Sequence, residues 1–427
     1  MDDLFKPEII SLLTSRFSNE SKIRIGKKLK VAINYIPKEN LLQINRNIIK
    51  AKELLYVFLH QFNHQIYHFL KDEELIAKKI NTNVYYKIFG RNYKNQKLTS
   101  VIIKVLEQGT EKGSIIELSK EYCASVHSRE YQLSKRYLGY GFEKITLTTK
   151  LAIKKNKKIK ALAIQFIQGN KIALNDIMAY SILKLVNTDL IKDYAEDIIS
   201  NTTFIKGEVL TLERLETHLE IFDYLSDPDE YLQGFLIPKI SKFGRVYTSF
   251  NLMPKWIREM YSLIEVDYSA LHPNIASAIF EEDNEYRQTI THQKIADYLK
   301  LSTVKIKKLH LSFFNESINN MYLPKYKGLM DYYNTYHPTL IPNIIADKKL
   351  NGYKNTSHLL QQFESKMQVL NIEKLNNKGI NPLYIFDALA VENRFADIVK
   401  DIMNETASEM KVFTDANIQD NQYLKFS

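Results

Sequence analysis

Two aspartates, Asp267 and Asp387, stand at the ends of short apolar runs, Leu263-Ile264-Glu265-Val266-Asp267 and Leu383-Tyr384-Ile385-Phe386-Asp387. β-Branched and aromatic residues fill both runs, which predicts buried strands. A carboxylate closing such a strand needs a partner or a metal, because an unpaired charge is costly in an apolar setting. Two carboxylates that converge can hold two divalent ions about 3.5–4 Å apart, one activating a hydroxyl and the other neutralising a triphosphate and its leaving group. Magnesium takes one or two carboxylates and completes its shell with phosphate oxygens and water. Asp267 and Asp387 are therefore the expected catalytic residues and the expected ligands for Mg2+ or Mn2+, with nucleoside triphosphates as substrates. The plainer alternative has Asp267 end a strand at a turn and Asp387 sit in a hairpin.

The neighbouring segments offer what that chemistry needs. Before the first aspartate, Gly244-Arg245 and Arg258 supply a glycine for close backbone approach and two guanidinium groups as phosphate donors. His272, five residues after Asp267, is expected beside a bound sugar, where the chain turns at His272-Pro273 into a helix beginning near Asn274. Between the aspartates, residues 303–315 read as a helix with a cationic and an aromatic stripe. Lys307 or Lys308 would bind the triphosphate, and a ring or the Asn315 amide further along would press on the base. A further helix over 357–378, capped by Thr356 or Ser357 and ended by Gly379, carries Gln361 and Glu364 one turn apart. That polar turn is expected to face nucleic acid.

The remaining chain must position these groups. Its 427 residues suffice for two or three cores, and 45% hydrophobic with 25% charged residues is a globular composition. No run approaches the roughly 18 apolar residues of a membrane span, and the N-terminus lacks the basic and apolar regions of a secretory signal. A lone cysteine, Cys123, excludes an internal disulfide and a cysteine zinc site, in keeping with a reducing cytoplasm. Net charge +10 favours a polyanionic partner. Basic clusters occur at 22–30, at 91–97 and at Lys154, Lys155, Lys157 and Lys158, and 27 tyrosines suit a groove that tracks a phosphate backbone and stacks bases. Up to about residue 235 the pattern is mostly helical, with strand-like patches at 143–149 and 161–167; the character changes after Asp227-Pro228-Asp229. His60, His64 and His68 would share one helix face, but they lack the glutamate of a zinc protease motif and read as a polar or nucleic-acid-facing stripe.

In their order, these motifs resemble the palm of family A DNA polymerases and phage-type single-subunit RNA polymerases. Asp267-Tyr268-Ser269 looks like the first palm motif, Lys307 or Lys308 like the lysine of the fingers helix, and Phe386-Asp387-Ala388-Leu389 like the third motif. Gly244-Arg245 and Arg258 lie where that family has a Gly-Arg element and an arginine. The chain is also similar to palm-domain proteins of phages and mobile elements. The likeness covers residues 240–410 and departs from the family at His272, where family A DNA polymerases have glutamate, and at Phe386, where histidine is usual. It implies an α+β fold: a mostly helical, basic, thumb-like region over 1–235, then a palm over 236–427 with an antiparallel sheet, helices and a fingers insertion at 280–355. The implied activity is template-directed polymerisation on a DNA or RNA template-primer. Two alternatives stand beside it: template-independent or protein-primed synthesis, and a noncatalytic nucleic-acid-binding replication or defence protein on a decayed palm.

Overall fold

A computed structural model describes residues 21–63, 65–66, 77–80, 82–120, 129–138, 141–182, 204–205, 208–209, 239–241, 243–253, 255–259, 261, 263–281 and 288–419. The fold is α+β, and it divides into two compact units, Met1–Gly169 with Leu185–Ile237 and Asn170–Lys184 with Pro238–Ser427. Among the described residues no helix is long and apolar enough to cross a membrane. Cys123, His64, His68 and the 227–229 segment lie outside the described residues.

In the first unit, β1 (Lys22–Gly26) leads into helices α1 (Lys27–Asn34), α2 (Lys38–Ile44) and α3 (Ile48–Leu59). Leu54, Leu55, Phe58 and Leu59 recur along α3 at helical spacing and are all buried, and the Asn47 side chain caps its start by accepting from Lys50 N. Next come β2 (Lys78–Lys79), α4 (Thr82–Phe89), α5 (Leu98–Gln108), β3 (Ile116–Lys120), β4 (Glu130–Leu133), β5 (Phe142–Thr146) and α6 (Lys150–Gln168). β1 pairs antiparallel with β5, while β2, β4 and β3 form a second small sheet in that order. The strand expected around 161–167 is instead the last part of α6, because a short apolar run fits a buried helix as well as a strand. Glu53 of α3 fixes where α6 starts. It accepts from the backbone N–H and the hydroxyl of both Thr148 and Thr149, just ahead of the first turn. His60 is core rather than part of a surface stripe, with Nδ1 donating to Arg24 O at 2.7 Å.

The second unit begins with α7 (Lys171–Ile182) and resumes with β6 (Lys239–Ile240), β7 (Val246–Tyr247), α8 (Ser249–Leu252), α9 (Lys255–Glu259), β8 (Leu263–Tyr268) and α10 (Leu271–Phe280). A helical stretch follows: α11 (His292–Leu299), α12 (Thr303–Phe313), α13 (Ile318–Met321), α14 (Lys327–Tyr336) and α15 (Leu340–Asn351). It ends with α16 (Asn355–Asn376), β9 (Leu383–Ile385), β10 (Ala388–Glu392), α17 (Ala396–Glu409) and β11 (Ala416–Ile418). Four of these strands make one antiparallel sheet in the order β9-β10-β8-β11, and β6 pairs with β7. Side chains alternate across β8, so Ile264, Val266 and Tyr268 share one face and Glu265 and Asp267 the other. Tyr268 anchors the first face to the helices by donating its hydroxyl to Met403 O of α17 at 2.7 Å. From α7, Asp176 accepts Tyr384 N at 3.0 Å and Asn175 donates to Pro382 O at 2.7 Å, which pins edge strand β9.

Two helix starts differ from expectation. α10 begins at Leu271, so His272 and Pro273 lie inside its first turn, where proline costs no intrahelical bond. α16 begins at Asn355 without a side-chain cap, and Asn355 and Thr356 instead donate to the Asp347 carboxylate at the end of α15.

Candidate active site

The site grows from the end of β8. Asp267 is opposite Ala388 of β10 and Asn417 of β11, and Tyr268 N donates to Asp387 O at 3.4 Å. The two aspartates thus come together, with Asp387 in the two-residue turn between β9 and β10 rather than on the strand itself. That turn requires Phe386 at φ +55°, a left-handed conformation a large side chain seldom adopts. Surrounding groups hold the ring in place: Tyr247 and Tyr384 meet it edge-on at 5.6 and 6.0 Å, and the Arg245 guanidinium is 5.4 Å from its centre. On the other side Ala270, at φ +46°, starts α10 from the same unusual region. Strain held by its surroundings is concentrated at functional turns.

Electrostatics sets this pair apart. Burial, followed by the charge of Asp387, pushes the Asp267 carboxyl up to about 8. Burial, followed by Glu364, pushes Asp387 up as well. Asp267 Oδ1 is buried and accepts no hydrogen bond among the described residues. Two desolvated like charges with an orphan oxygen have the donor chemistry of a cation site. Among the described residues no cluster of three His, Cys, Asp or Glu forms a closed metal cage. The residues fit divalent ions shared with substrate, and Asp267 and Asp387 would hold them.

Lys307 of α12 is the cation that most strongly opposes this shift at Asp267. It is exposed and has no ion pair among the described residues. Lys308 is exposed too, but its charge is not among the principal influences on either aspartate. Asn315 lies exposed just beyond α12. The rings expected against a base do not face the site: Phe313 and Phe314 are buried among Tyr326 and Tyr333, so the aromatic stripe of α12 is core.

The other expected nucleotide contacts are bound to the protein itself. Arg245 donates through Nε and Nη2 to the two carboxylate oxygens of Glu364 at 2.7 and 2.6 Å. His272 Nε2 reaches Glu364 Oε2 at 2.8 Å. Glu364 therefore does not face nucleic acid; its side chain is 1% exposed. Burial raises its carboxyl, but His272 and Arg245 outweigh that and hold it below the usual range. Gln361, one turn earlier, is half-buried. Gly244 allows the approach: at φ +90°, a Cβ there would lie 3.0 Å from Ser365 Cβ on α16. Arg258 is likewise committed, through Nη1 to Met253 O at 2.7 Å and through Nη2 to Glu265 at 3.0 Å. It neutralises the acidic neighbour of Asp267 on the same strand face instead of waiting for phosphate.

The buried anchor role of Glu364 was missed although the signal was present. Leu360, Glu364, Met367 and Asn371 recur at helical spacing and are all buried, so position alone placed the glutamate inside. In the first unit, Lys154, Lys157 and Lys158 are exposed on α6 and Lys155 is half-buried. No known protein-family model matches this chain, and no curated protein matches it.

Proposed function

We propose that the chain is a nucleotidyltransferase that extends nucleic acid on a template, using divalent metal ions held by Asp267 and Asp387. The observation that supports this reading is the pair itself: one aspartate on β8 and one in the turn beside it, both pushed toward neutrality, with an oxygen of Asp267 and the nearby Lys307 both unpaired among the described residues. Its resemblance to polymerase palms points the same way. When bound, Mg2+ would lower the pKa of the attacking hydroxyl and offset charge on the triphosphate.

The protein's own groups have separate tasks. Asp267 and Asp387 supply the negative charge that draws cations and substrate together. Lys307 meets the triphosphate as a compact cation whose position on a helix is fixed before substrate arrives. His272, held through Nε2 by Glu364, keeps its other ring nitrogen for the substrate side. Arg245 acts indirectly, holding Glu364 and packing over Phe386 in the strained turn.

The test is to incubate the protein with Mg2+ and a primed or unprimed template, supplying ribonucleotides and deoxyribonucleotides separately. Template-matched extension supports the proposal. Incorporation regardless of template favours terminal or protein-primed synthesis, and nucleic-acid binding without incorporation favours a noncatalytic protein.

A further inference from the structure

Two stretches of the first unit lack any acidic residue. Residues 75–106 contain seven Lys and Arg, and residues 144–169 contain another seven. The fold joins them. α4 packs against α6, the Lys158 ammonium donates to Lys87 O at 3.5 Å, and a Cβ on Gly90 would lie 4.0 Å from Lys155 Nζ. The clusters that are separate in sequence therefore make one cationic face.

That face is poorly compensated. Arg91, Lys94, Lys97, Lys154 and Lys158 are exposed, and none has an ion pair among the described residues. Burial, with Lys158 and Lys154 close by, holds the Lys155 ammonium below its ordinary value. The face also carries rings. Tyr86 and Tyr93 are 37% and 40% exposed, with Lys97 5.9 Å from the first ring centre and Arg46 4.9 Å from the second. The turn that presents them is built rather than loose: Asn92 accepts from the backbone N–H of Lys94 and Gln96, and Arg91 is tied to Asn95. Cations flanking exposed tyrosines suit unpaired bases and their phosphates, whereas a duplex hides its base faces.

We propose that α4, the 90–97 turn and α6 together form a binding surface for single-stranded nucleic acid whose binding does not depend on catalysis.

Full-length protein, kept in EDTA so that no synthesis occurs, is titrated against a fluorescein-labelled oligo(dT) of about 20 nucleotides, with anisotropy read from about 50 to 200 mM salt. The single strand should bind more tightly than a duplex of equal length. The variant Lys94→Ala/Lys154→Ala/Lys158→Ala should lose about 2 from the slope of log affinity against log salt, at about 0.7 per lost phosphate contact. Tyr86→Ala should weaken binding about tenfold and leave the slope unchanged, because stacking releases no counterions. Melting is followed in parallel, and Lys→Gln replacements are used at any position where alanine lowers the melting temperature. An unchanged slope in the triple variant, tighter binding of duplex, or binding only to phosphatidylserine vesicles overturns the proposal. Loss of polymerase activity has no bearing on it, since the assay contains no metal.

Discussion

At the scale of single residues, the site separates groups that stabilise the fold from groups that strain it. Arg245 and Glu364 form a two-point ion pair, and Glu364 is almost wholly buried. Removing one partner leaves the other charge without compensation. Arg245→Ala should therefore destabilise the second unit by about 3 kcal/mol, read by urea denaturation, and Arg245→Lys should recover only part of this because lysine cannot donate through two parallel N–H groups. The aspartates behave in the opposite way. Asp267 and Asp387 repel each other in a desolvated corner, so Asp387→Asn should keep or raise the melting temperature in EDTA, by roughly 2–4 °C per kcal/mol of relief. A residue whose removal stabilises the protein and abolishes its activity is retained for function. A fall of several degrees would mean that the carboxylate is structural.

At the scale of elements, two junctions bring distant parts of the chain together. Gly244 has φ +90° and almost touches Ser365, so Gly244→Ala should cost about 1–3 kcal/mol, and trimming Ser365 to glycine should restore only the steric share. In the first unit, Glu53 caps α6 through Thr148 and Thr149, and these hydrogen bonds outweigh burial to hold its carboxyl below the ordinary value. A depressed carboxylate stabilises above its unfolded pKa and loses that contribution as pH falls through its folded pKa. Glu53→Gln should thus cost about 1–2 kcal/mol near pH 7 and progressively less below about 4.5, measured as the gap between the two denaturation curves. Elements of this kind were unequally legible in the sequence. α3 and α12 were readable because their apolar spacing is periodic, and β8 because its apolar run is bounded. The end of α6 was not, since Ala161 to Ile167 has no period that separates a strand from a buried helix. The partners of Arg245, Arg258 and Glu364 were not legible, because residue type gives a group's chemistry and not what it binds. Only the fold shows that these charges satisfy one another 119 and 7 residues apart.

At the scale of the molecule, charge is distributed by task. The net +10 is concentrated in the first unit's acid-free stretches, whereas the second unit holds a buried acidic pair at the end of its sheet. Binding of nucleic acid should consequently fall steeply with salt while the aspartate pair decides only whether synthesis occurs. The proposed activity rests on Asp267 and Asp387, and the most direct measurement is the rate of nucleotide addition to a primed template in Mg2+ by the natural chain and by Asp387→Asn. Metal-dependent, template-matched addition is expected in the natural chain and should fall at least about a thousandfold in the variant while melting and oligo(dT) binding persist. Addition by Asp387→Asn at the natural rate, or no addition by the natural chain with any nucleotide set in Mg2+ or Mn2+, would contradict this assignment.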